Sequence, residues 1–67
     1  LQAELAVLVA DLEDALEECR TETTRGPVEM LIRQGRELRS HPGRGVRSFV
    51  AMSPFIYDRI AACDEGR

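Results

Sequence analysis

Leu1, Leu5, Leu8, Leu12, Ala15 and Cys19 recur at alternating steps of four and three. That spacing is the apolar seam of a heptad, and it predicts a helix over about 1–20. Val9 and Leu16 widen the seam to one side, which is the pattern of a bundle helix. The first half of this segment is apolar nearly all round, because Ala3, Ala6, Val7 and Ala10 lie opposite the leucines. A helix apolar on every side needs cover on several sides. The chain has 67 residues, and one this short buries only about 60% of the surface its unfolded form exposes. The expected remedy is self-association through Leu1, Leu5, Leu8, Val9, Leu12 and Leu16, or docking on a larger protein.

The second half of the segment turns acidic. Residues 1–22 hold Glu4, Asp11, Glu13, Asp14, Glu17, Glu18 and Glu22 against Arg20 alone, a net of −6. Glu13/Glu17 and Asp14/Glu18 are like-charge pairs one helical turn apart, and they sit where the helix dipole favours cations. Residues 33–47 have the opposite sign. Arg33, Arg36, Arg39, Arg44 and Arg47 face Glu37 alone, a net of +4. Two opposite blocks in one short chain predict mutual attraction or two different partners. The acidic run reads as a solvated face rather than a metal site.

Gly26-Pro27 predicts the start of a second helix, with Pro at the first helical position and Glu29 in the first turn. It runs from about 27 to 39, with Val28, Leu31, Ile32, Gly35 and Leu38 on one face and Arg33, Arg36 and Arg39 as a stripe beside it. Gly35 on the apolar face predicts close approach of another helix, since it costs about 1 kcal/mol relative to Ala in a helix interior. The two helices read as an antiparallel hairpin. A Gly/Pro turn follows at 40–45. Residues 46–52 fit either a strand or a helical turn, and a helix is preferred because a lone strand would have no partner. Ser53-Pro54 predicts a C-terminal helix over about 54–63, capped by Ser53, with Ile56, Ile60 and Cys63 on one face. The fold class is therefore all-α: one domain over 1–67, a helical hairpin plus a short C-terminal helix, associating into an oligomeric bundle.

Arg47-Ser-Phe-Val-Ala-Met-Ser-Pro-Phe-Ile-Tyr-Asp-Arg-Ile60 resembles the opening of a ribbon-helix-helix DNA-binding domain. The resemblance covers about a quarter of the chain. It implies a short strand whose side chains, Arg47, Phe49 and Ala51 or the alternate set, read the major groove. It also implies a helix opened by Ser-Pro and a second helix after Gly66.

Function divides into two classes. The first is a non-catalytic interaction or assembly module that self-associates through helix one. The second is a small oligomeric nucleic-acid-binding protein, in which Arg33, Arg36, Arg39, Arg44 and Arg47 contact phosphates. An enzyme is not expected, because one His and no nucleophile motif offer no triad. The residues call for no metal, no cofactor and no small-molecule substrate. Leu5–Ala10, the longest apolar run, is too short to span a bilayer. Cys19 and Cys63 read as two small buried hydrophobes, with a disulfide between helix one and the last helix as the alternative. Without an export signal they fit a reducing, cytoplasmic compartment.

Overall fold

The computed structural model describes residues 1–65, and they form four helices. These are α1 (Gln2–Leu16), α2 (Glu22–Ser40), α3 (Arg44–Ala51) and α4 (Ser53–Asp64). The all-α expectation holds. The lean to helix at 46–52 holds as well, because Val46 and Phe49 face inward one turn apart on α3. A helix at that place overturns the ribbon-helix-helix resemblance, whose strand would have to occupy the same residues. The second helix that family continues with lies outside the described residues.

α1 ends four residues earlier than its apolar spacing predicts. Its last carbonyls are closed by tight turns, with the Glu18 N–H donating to Ala15 O at 2.9 Å. The stacked carboxylates at the dipole's negative end disfavour further helix there. α2 begins at Glu22 rather than at Pro27. Thr21 is the cap that decides this. Its Oγ1 accepts from the Thr24 N–H at 3.3 Å, and its carbonyl accepts from Thr24 Oγ1 at 3.1 Å. Pro27 thus lies inside the helix, where it cannot donate to the carbonyl one turn back. Ser53 is likewise not a cap. It is the first residue of α4, and its hydroxyl donates back to Val50 O at 2.6 Å, stitching the α3–α4 corner.

α1 and α2 pack as the antiparallel hairpin the sequence predicts, and Gly35 marks the crossing. A Cβ built on Gly35 would stand 2.5 Å from Val9 Cγ2 and 3.3 Å from Phe49 Cζ. Val9 is fully buried and stiff at χ1, so it has no room to give way. The tight seat of α1 on α2 offsets the helix propensity that Gly35 forgoes. α3 and α4 then lie across the hairpin and close a core of Leu5, Leu8, Val9, Leu12, Val28, Leu31, Ile32, Val46, Phe49 and Ile56.

This core changes the meaning of the α1 seam. Leu5, Val9 and Leu12 are fully buried within one copy, and Leu8 nearly so. Leu16 is half-buried against the same core. The apolar demand that called for a second copy at these positions is met by α2, α3 and α4. Of the six residues expected at an interface, Leu1 alone stays fully on the surface.

Cys19 and Cys63 form a disulfide between the α1–α2 connection and the last turn of α4, with Cα atoms 4.4 Å apart. Both residues are buried, but as a covalent pair rather than as separate hydrophobes. The pairing removes the premise of the reducing-compartment expectation, since lasting disulfides belong to oxidising surroundings. Among the described residues, no helix is long and apolar enough to cross a membrane.

A groove between α1 and α4

The size of the side chains sorts the two faces of α1. The leucines turn inward and the small residues turn outward, so Ala3, Val7 and Ala10 remain exposed. Val7 keeps 55% of its surface accessible. Beside it, α1 and the α3–α4 corner leave a depression floored by Leu8 and walled by Ala3, Val7, Val50 and Tyr57, with Glu4 and Ser53 at its edge. The Glu4 carboxylate pairs with the Leu1 amino group at 3.0 Å. A second depression continues along the same pair of helices, with Ala15 and Ile60 as apolar lining and Asp11, Asp14, Glu18 and Asp64 as charged lining. Tyr57 borders both. The two are adjacent and share Tyr57; taken together as a groove, they are mainly apolar at the α1 N-terminal end, where Glu4 is tied to the Leu1 amino group, and acidic at the C-terminal end.

Tyr57 holds the junction. Its hydroxyl donates to Asp11 Oδ2 at 2.5 Å, a contact between α4 and α1 across 46 positions of sequence. That hydrogen bond raises the phenol above its ordinary value of 10.0, and burial and the Asp11 charge act in the same direction. The disulfide fixes the acidic end, because Cys19 follows Glu18 and Cys63 precedes Asp64. Asp14, Glu18 and Asp64 form no ion pair among the described residues. Nor is any group of three His, Cys, Asp or Glu residues placed among them to hold a metal ion.

The arginine block is only partly assembled. Arg33 and Arg36 line one depression with Leu16, Ile32, Glu29 and Glu37, and Arg36 and Arg39 line another with Ser40. Arg44 and Arg47 sit on α3 and line neither. The attraction expected between the two charge blocks comes down to one contact. Arg36 Nε donates to Glu13 Oε2 at 2.9 Å, and its Nη2 reaches the same oxygen. Both side chains are exposed, so this bridge is worth at most about 1 kcal/mol. Glu37 faces His41 and Glu29 pairs with Arg25, each one helical turn away. Arg33, Arg39, Arg44 and Arg47 make no ion pair among the described residues.

Sequence reasoning located the arginines but missed the groove. The available signal was the second apolar stripe on α1, of which Ala3 and Val7 line the groove and Ala10 does not, and whose direction relative to α4 no local pattern states. The chain matches no protein-family model, no curated protein and no solved structure.

Proposed function

We propose that this chain is a non-catalytic protein-interaction module that binds its partner through the outer face of α1. The observation that carries the reading is the exposure of Val7 in a groove that continues along α4. Leu8 on its floor belongs to the core, but Ala3 and Val7 on this surface take part in neither the core nor the disulfide. The fold supports it as a rigid platform, because the inner face of α1 is packed and the end of α4 is covalently tied to the α1–α2 connection. Interaction through helix one is retained from the sequence reading, but it moves from the leucine seam to the opposite side. A second copy docking on Leu5, Leu8, Val9 and Leu12 would have to displace the core.

The unpaired arginines favour a second reading, contact with nucleic acid. Two features oppose it. Glu29 and Glu37 line the same depression as Arg33 and Arg36 and would repel a phosphate backbone. The net charge of −3 adds no long-range attraction.

Affinity capture from the native host with wild type, Val7→Gln and Met30→Gln tests the first reading. Both substitutions are at exposed helical positions and keep helix propensity. A partner held by wild type and Met30→Gln but lost by Val7→Gln is expected. A partner held equally by all three places the binding face elsewhere. A parallel titration with duplex and single-stranded nucleic acid, repeated as salt rises, tests the second reading. Phosphate-driven binding falls steeply with salt.

A further inference from the structure

The groove is asymmetric along its length, and the asymmetry selects a chemistry. From Ala3 to Ala15, α1 offers about 18 Å of wall, room for roughly three turns of a facing helix. At one end a side chain would meet Val7 and Val50 over a floor of Leu8, beside a Glu4 already paired with the Leu1 amino group. At the other it would meet the carboxylates of Asp11, Asp14, Glu18 and Asp64, with no cation among the residues that line the groove. A neutral apolar occupant would leave Asp14, Glu18 and Asp64, which form no ion pair among the described residues, facing it without a cation. An acidic occupant, or an anionic lipid surface, would be repelled.

We infer that the α1–α4 groove accepts a cationic amphipathic helix of another protein, with apolar side chains seated at Val7 and Val50 and Arg or Lys side chains along Asp11, Asp14, Glu18 and Asp64. The inference rests on the interaction-module reading and names its partner by charge and shape. The α2 helix of a second copy fits poorly. It is the arginine-rich helix, and its apolar side chains, Val28, Leu31 and Ile32, are buried in the copy's own core. Met30 is the one large apolar side chain that α2 leaves exposed. A copy therefore cannot offer cations and an apolar ridge from that helix together.

Tyr57 makes the test local. It is the only Tyr in a chain without Trp, and it borders both depressions where they meet. The probe is a synthetic helical peptide without aromatic residues, leucine-faced at one end and arginine-rich at the other, titrated into the intact oxidised chain while Tyr57 emission is followed. A control peptide carries Gln in place of each Arg. Saturable binding of the arginine peptide is expected, about tenfold tighter than the control at low salt, with the advantage shrinking as salt screens it. The double substitution Asp14→Asn with Glu18→Gln, at exposed positions, is expected to remove most of that advantage, and Met30→Gln none of it.

Equal affinity for the two peptides would falsify the cationic assignment while leaving the groove as the interface. No response to either peptide, with native capture still lost in Val7→Gln, would also overturn it and leave the α1 face standing. If native capture survives in Val7→Gln as well, both readings fall together. A self-association in sedimentation that Asp14→Asn with Glu18→Gln abolishes would make the cation donor a second copy, against the inference.

Discussion

The inner and outer faces of α1 are both apolar, yet they have opposite fates. The inner face carries Leu5, Leu8, Val9 and Leu12, each buried against α2, α3 or α4. The outer face carries Ala3, Val7 and Ala10, all exposed. Apolar area removed from water is worth about 25 cal/mol per Å², so a fold that can bury only one side of a helix buries the side with the larger residues. Small residues on the other side leave a shallow wall that another helix can approach closely. Apolar periodicity alone therefore does not mark an interface. The volume of the side chains decides which stripe is core and which remains available.

The covalent tie at the end of this helix sets the largest expected effect on the comparison. Cys19→Ser with Cys63→Ser removes a cross-link with a sequence separation of 44. Chain entropy puts the loss at about 4 kcal/mol for a loop of that size. Urea unfolding of the double variant and the oxidised wild type measures it, and coincident midpoints would show that the inner face holds the fold without help.

Next come the two faces themselves. Leu12→Ala is expected to cost about 2–5 kcal/mol, because Leu12 is fully buried and leaves a cavity. Val7→Ala is expected to stay within about 0.5 kcal/mol of wild type. Thermal melts of the two single variants sharpen the contrast. Similar losses at both positions would mean that Val7 is covered in solution, by another copy or by a rearranged α4.

The smallest effect lies at the α1–α4 contact. The neutral Tyr57 phenol donates to Asp11, and its folded-state value is raised above the ordinary 10.0. The bond's contribution is therefore complete below pH 10 and is lost as pH rises through the folded-state value. Asp11→Ala removes the acceptor, so phenolate absorbance should appear at lower pH, nearer 10.0. An unchanged titration curve would show that the contact does not persist in solution.

Much of the backbone was readable from local chemistry. The Gly/Pro break falls between α2 and α3 as expected but is shorter than 40–45, because α2 keeps Ser40 and α3 takes up Arg44 and Gly45, and Ser53-Pro54 opens α4. Gly35 announced a close helix crossing, because a glycine in the apolar face of a helix is costly unless a neighbour needs the space. Where local signals competed, the weaker-looking one won. Gly26-Pro27 carries the familiar helix-start pattern, but Thr21 caps five residues earlier and the helix runs through the proline.

Sequence by itself determined that this chain is helical, where its main breaks fall, and which residues are large enough to seek a core. Those properties follow from backbone preference and side-chain volume, which act over one or two turns. Tertiary structure alone decided that one copy satisfies the leucine seam, that Cys19 meets Cys63, that Arg36 is the arginine that meets Glu13, and that two depressions lie side by side at Tyr57. Each of these depends on how helices far apart in sequence are rotated against one another. That rotation is set by the packing of the whole core, of which any single segment carries only a part.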